Sequence, residues 1–250
     1  MLVQIDYELH FHAPFHLGTG IAAASIDRTV IKDAGGMLYV PASTFKGVLR
    51  EHCEQLCRFY LPKLPIASPH NAAATLTQFG KTPTPISRIF GSPLYPGTLR
   101  FNDAGQTKDS YELYKDMQTS ILTQVRINRL TRTAVDEALF TSEFGLPALI
   151  FAGTIKGQLN CTPVDNLKET AQAEASNTPQ PTYSLLVLLA GLLMFERIGG
   201  NKSAGKGQCS CAIRQVVLDG QPCAEERWRS WIRQLEVLKN YPVDEKGGQA

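Results

Sequence analysis

The 250-residue sequence has almost no excess charge: 25 lysines and arginines stand against 23 aspartates and glutamates, a net charge of +2. That balance excludes a uniformly basic tail and a strongly acidic solvating chain, so any polyanion must be met by local charge. Long hydrophobic runs are also missing. The longest, Leu185 to Phe195, is broken by Gly191 and falls short of the roughly 20 residues needed to span a bilayer. The opening MLVQIDYELHF has neither a basic leader nor an unbroken apolar stretch, so no targeting segment is expected. None of the six cysteines (Cys53, Cys57, Cys161, Cys209, Cys211 and Cys223) forms a CxxC pair, which removes the usual zinc-knuckle and thioredoxin spacings. Cys53 and Cys57 lie a helical turn apart beside His52, and buried reduced thiols are expected of them rather than metal ligands. These absences predict a soluble cytoplasmic protein with no membrane partner. With 43% hydrophobic and 19% charged residues the composition is globular, and the length suits one elaborated domain or two small ones.

Periodicity supplies the elements that are there. Val3, Ile5, Tyr7, Leu9 and Phe11 alternate with Gln4, Asp6, Glu8 and His10, which predicts a half-buried strand. A glycine turn, His16-Leu17-Gly18-Thr19-Gly20, follows. Arg28–Lys32 and Met37–Val40 read as short strands around Ala34-Gly35-Gly36. Pro41 opens a helix to about Tyr60, with Ser43 or Thr44 available as cap. Seven of the fifteen prolines fall between Leu61 and Pro96, predicting an insertion or lid outside the core. Thr98–Asp103, Ile121–Leu130, Leu149–Leu159 and Gln208–Leu218 read as strands, and Thr131–Gly145 as a loop or hairpin. Asn166–Pro181 reads as a polar linker. Tyr183–Ile198 and Glu225–Leu238 read as helices, the second with Trp228, Trp231, Leu235 and Leu238 at helical spacing. The last ten residues are expected to fray. The interleaving predicts an α+β fold on a βαββαβ, ferredoxin-like or RNA-recognition-type core with large insertions.

Four local patterns carry chemistry. Gly199–Gly207 packs four glycines, Lys202, Ser203 and Lys206 into nine residues. Glycines admit close backbone approach, clustered N–H groups cradle anions, and phosphate is the natural ligand; the alternative is a solvated turn. Gly200 and Gly205-Lys206 fit GxxxxGK, but Gly207 replaces the magnesium-binding Ser or Thr. The loop also follows a helix and precedes a strand, the reverse of a P-loop, so an NTPase is not expected. Ser43, Thr44, Lys46 and Arg50 sit at a predicted helix start, where free N–H groups and a positive dipole attract anions; a capped helix with solvated basic residues explains them equally. Arg126, Arg129 and Arg132 fall in a stretch, Met117–Val135, that holds no acid, and such an arm can grip a nucleic-acid backbone. Asp27, after the glycine turn, can bind a metal or orient a hydroxyl for phosphoester cleavage; pairing with a neighbour is the alternative.

In order, these blocks resemble the RAMP superfamily, and specifically the backbone subunits of type III CRISPR effector complexes. The resemblance is carried by His16-Leu17-Gly18-Thr19-Gly20, by Ile26-Asp27-Arg28 with Tyr39 to Arg50, by Ala138 to Glu143, by Gly153 to Gly157, and by Ile198 to Gly207. It implies a single modified RNA-recognition domain over 1–250, with a thumb hairpin near 126–150 and a lid near 61–96. It also implies packing along a guide RNA (crRNA), whose backbone would meet Ser43, Thr44, Lys46, Arg50, Arg126, Arg129, Gly200, Lys202, Ser203, Gly205 and Lys206. The other partners implied are a target RNA and further CRISPR effector subunits, including related backbone subunits.

In target-cleaving members an aspartate before the signature helix is required with divalent metal. Asp27 matches it, which implies an endoribonuclease using Mg2+. Base pairing would supply sequence specificity. Two alternatives remain: a non-catalytic scaffold of the same complex, and a guide-precursor processing ribonuclease using His12 or His16.

Overall fold

The computed structural model describes residues 1–23, 25–62, 64, 83–159, 162–164, 167 and 180–242. Strand β1 (Leu2–Phe11) is its centre. Its odd side chains are almost completely buried and its even ones only partly, as period-2 alternation requires. It pairs antiparallel with β7 (Ile150–Gln158) on one side and β8 (Cys209–Leu218) on the other. Two short strands, β3 (Leu99–Phe101) and β4 (Ala104–Gln106), lie end to end along β7. The sheet is completed by β2 (Tyr39–Val40) on β4 and β9 (Gln221–Cys223) on β8, seven antiparallel strands in all.

Helix α1 (Ala42–Tyr60) lies between β1 and the β3/β4 edge in sequence, and α4 (Tyr183–Leu193) lies between β7 and β8. This is the α+β, ferredoxin-like order. Helix α4 is apolar all round, and Tyr183 to Leu192 are all buried, which places it in the core. Its Gly191 lets α1 approach: a Cβ there would sit 2.5 Å from the Cys53 Sγ. Tyr7, Phe45 and Phe195 form a stack with centroid spacings of 4.3 and 4.9 Å that ties sheet, α1 and the chain after α4 together. Each fully buried aromatic or leucine contributes on the order of 2 kcal/mol.

The structure differs from the periodicity reading in four places. Helix α2 (Pro85–Phe90) lies inside the proline-rich span expected outside the core, yet most of it is buried. Pro85 is the first helical residue, where its missing N–H is harmless, and the Thr84 hydroxyl accepts the Ser87 N–H at 3.2 Å. The other expected lid residues, 63 and 65–82, lie outside the described residues, as do most of the expected linker and residues 243–250. Helix α1 is not capped by Ser43 or Thr44; its N-cap is Pro41, and Asp103 accepts the Ala42 N–H at 2.7 Å. Arg28–Lys32 makes isolated bridges rather than a regular strand. The last predicted helix is broken into α5 (Glu225–Ile232) and a 3-10 turn, Leu235–Asn240.

A two-stranded hairpin, β5 (Thr119–Ile127) with β6 (Ala134–Gly145), stands apart from the main sheet. It enters after the short helix α3 (Lys108–Tyr114) and returns directly into β7. The span expected for a thumb, 126–150, overlaps it, but the hairpin starts earlier, at Thr119.

Candidate functional site

A cleft of about 510 Å3 opens at the hairpin base, lined by His16, Gly18, Gly20, Ile21, Asp27, Arg28, Thr29, Gly200 and Asn201. Three segments make it: the glycine turn after β1, the segment bearing Asp27 just beyond it, and, far along the chain, the glycine loop before β8. The Asp27 segment lies between two neighbours. On one side Thr19 N–H donates to Thr29 O at 3.1 Å and Ile31 N–H to Leu17 O at 2.8 Å. On the other, strand β6 holds it: Asp27 N–H donates to Thr141 O at 2.9 Å, and Thr141 N–H donates to Asp27 Oδ2 at 2.7 Å. Asp27 is thus exposed to the cleft and anchored through one carboxylate oxygen. Arg28 lies over the Phe140 ring at 5.2 Å.

The glycine loop closes on the same turn. Gly200 N–H donates to His16 O at 2.8 Å and Gly207 N–H to Pro14 O at 2.8 Å. Gly199 adopts φ 95°, and a Cβ there would lie 2.5 Å from the His16 carbonyl oxygen, so only glycine fits. A 3-10 turn, Lys202–Ala204, follows Asn201 in the left-handed region. The N–H groups of Ala204, Gly205 and Lys206 bond within the loop, whereas those of Asn201, Lys202 and Ser203 have no hydrogen-bond partner among the described residues. Lys206 Nζ rests over the Phe144 ring at 5.2 Å, beside the hairpin base. The loop therefore presents backbone donors and cations together, as an anion cradle does.

Of the residues predicted to act, Asp27 and Gly200 line the cleft, as does His16 of the processing alternative. Ser203 and Gly205 are exposed on the adjoining loop, with Lys202 and Lys206 half-buried. Lys46 lies elsewhere, its Nζ 5.3 Å from the Phe101 ring centroid. Burial, and then the Arg50 charge, lower its pKa. Arg50 bonds Glu54 at 2.9 Å and the Gly91 carbonyl. Ser43 is exposed and Thr44 half-buried in the first turn of α1. Arg126 and Arg129 are exposed on the hairpin, and its tip is ordered by Asn128, which accepts from Leu130 N–H at 2.9 Å and Arg132 N–H at 2.8 Å. His12 bonds Ser210, and His16 Nδ1 bonds the Glu143 carbonyl, both at 2.8 Å. Since a carbonyl only accepts, Nδ1 carries the proton.

Sequence reasoning missed Arg28, Thr29 and Asn201 as cleft walls, although Arg28 adjoins Asp27 in the block already singled out. Among the described residues no group of three or more His, Cys, Asp or Glu side chains gathers to hold a metal. Asp27 is the carboxylate that lines the cleft. Magnesium is often held by one or two carboxylates together with substrate phosphates. The residues present therefore fit a cation shared with a phosphate ligand, not one caged by protein alone.

The structure is an antiparallel ferredoxin-like sheet bearing an arginine-tipped hairpin and a glycine-walled cleft. The RAMP superfamily model matches residues 8–210, and the chain belongs to that superfamily. Membership brings a CRISPR-associated, RNA-binding role, with RNA and CRISPR complexes as its general partners. No curated protein matches the chain. No described helix is long and apolar enough to cross a membrane.

Proposed function

We propose that this RAMP protein is a guide-RNA-binding backbone subunit of a type III CRISPR effector complex that cleaves the target RNA paired to its guide. The observation that carries this reading is the convergence of Asp27 with the two glycine segments at the foot of the hairpin whose tip carries Arg126 and Arg129. The glycine loop holds the RNA backbone through free N–H groups and lysines, and the hairpin arginines Arg126 and Arg129 meet phosphates further out. Asp27, anchored by Thr141, faces the target strand.

Cleavage is attack of a 2′-hydroxyl oxygen on the adjacent phosphorus. The new O–P bond closes a 2′,3′-cyclic phosphate as the P–O5′ bond breaks; the 2′-hydroxyl proton passes to water, and the leaving 5′-oxygen takes one from water. Asp27 orients the attacking hydroxyl, and RNA distortion supplies in-line geometry. Asp27 would be the residue to hold Mg2+, and the cation would supply charge neutralisation at the phosphate.

The test is an assembled complex carrying Asp27→Ala. Loss of target cleavage with guide RNA still bound is expected. Cleavage at the normal rate would refute the catalytic role. One observation favours a second reading, a scaffold without catalysis: an Asp27 oxygen already serves as a strap to Thr141. That reading expects Asp27→Ala to leave cleavage intact while Lys206→Ala weakens guide retention.

A further inference from the structure

Glu143 does not line the cleft, yet four of its groups hold the segments that do. Its N–H donates to Arg28 O at 2.8 Å, and its carbonyl accepts from His16 Nδ1 at 2.8 Å. In the side chain, Oε2 accepts the Val30 N–H at 3.1 Å and Oε1 accepts Lys32 Nζ at 2.7 Å. The residue is 6% exposed. A buried carboxylate is tolerated only where paired and hydrogen-bonded, and this one is both.

The geometry bears directly on Asp27. Thr141 grips Asp27 itself, and Glu143, two residues along β6 on the same face, grips the chain immediately beyond it. The two together set the register of residues 27–32 against the hairpin. A slip of one residue turns each side chain to the opposite face, which would take Asp27 away from the cleft. Without the carboxylate the Asp27 segment keeps its backbone bonds to β6 but loses the bonds at Val30 and Lys32 that hold its far end.

We propose that Glu143 is a positioning residue for target cleavage: its buried carboxylate clamps residues 30–32 to the hairpin base and so fixes Asp27 in the cleft. This rests on the reading of Asp27 as the cleaving residue. The clamp makes Asp27 and the hairpin base one mechanical unit, so RNA seated by the hairpin meets Asp27 at a fixed offset.

The experiment compares assembled complexes carrying Asp27→Ala, Glu143→Gln and Glu143→Ala. Each is assayed for single-turnover cleavage of a complementary target RNA, for target affinity and for guide RNA content. The glutamine variant keeps the side-chain shape and can still accept from Val30, but gives up the ion pair; the alanine variant gives up both. Cleavage is expected to fall about 3- to 10-fold in E143Q and about 100-fold in E143A, the scale of a small misplacement of a reacting group. Guide content and target affinity are expected to stay at wild-type levels. Wild-type cleavage by both Glu143 variants, beside an inert D27A complex, overturns the clamp alone. A fall in guide content in step with cleavage also overturns it, because the role is then assembly. If E143A does not assemble, E143Q decides by the same criteria. A D27A complex that cleaves normally overturns the reading of Asp27 and the clamp with it.

Discussion

Glu143 shows how a single residue can be charged and buried at once. Burial alone pushes its carboxyl pKa up, but the Lys32 ammonium, the Val30 N–H and the Thr119 hydroxyl outweigh it and hold the group below its ordinary value of 4.5. A depressed carboxyl pKa adds stability that is present above 4.5 and lost as pH falls through the folded-state value. The urea midpoint of the wild type should therefore exceed that of Glu143→Gln at pH 7, with the gap closing as the carboxylate takes up its proton in acid. A gap that stays constant down to about pH 3, below the ordinary carboxyl range, would contradict the sign. The thiols behave oppositely. Burial pushes Cys57 and Cys209 up to about 12, and thiolate is the reactive form. Both should resist iodoacetamide in native protein at about pH 8, near the ordinary thiol pKa, and react in urea, as read by peptide mass. The buried thiol of Cys57 was legible from the sequence, but the Glu143 network was not. Glu143 meets Val30 across 113 positions, a distance that no local pattern spans. Asp27 and Gly200 were legible because a turn and a glycine run mark them locally.

At the scale of elements, the glycine loop separates two kinds of glycine. Gly199 has φ 95° with a carbonyl oxygen where a side chain would go, while Gly205 has φ 77° and open space. Gly205→Ala should cost only about 1 kcal/mol, the strain of a left-handed alanine. Gly199→Ala should cost about 2–3 kcal/mol, adding a clash to the strain. Urea denaturation of both checks the order. The hairpin makes a different prediction. Arg126, Arg129 and Arg132 are exposed and lie on an arm outside the core. Replacing all three with alanine should leave the thermal midpoint within a few degrees. It should also flatten the log affinity against log salt slope by about 0.7 for each arginine that meets a phosphate of single-stranded RNA. Strands β1 and β7 and helix α1 were legible from their periods, and α4 from its unbroken apolar run. Helix α2 was not, because proline composition hid a helix that merely begins with one.

For the whole molecule, the net charge of +2 acquires a distribution. Arg126, Arg129 and Arg132 cluster at the hairpin tip, with exposed Asp136 and Glu137 further down β6, and Lys202 and Lys206 stand on the glycine loop, while two acids are engaged inside: Glu54 with Arg50 and Arg58, and Glu143 with Lys32. A near-neutral chain can in this way offer RNA a basic surface without repelling neighbouring subunits. The α+β class followed from alternation and the interleaving of strands with helices. The cleft did not, since it joins the turn and Asp27 near one end of the chain to a glycine loop near the other. The hairpin, finally, leaves and rejoins the core at adjacent points, where Leu146 N–H donates to Gln118 O at 2.9 Å. An insertion whose two ends already touch can lengthen or shorten by whole residue pairs without displacing the strands it departs from. Each added pair extends the arm by about 3.4 Å, so its reach can drift between lineages while the cleft at its root stays unchanged.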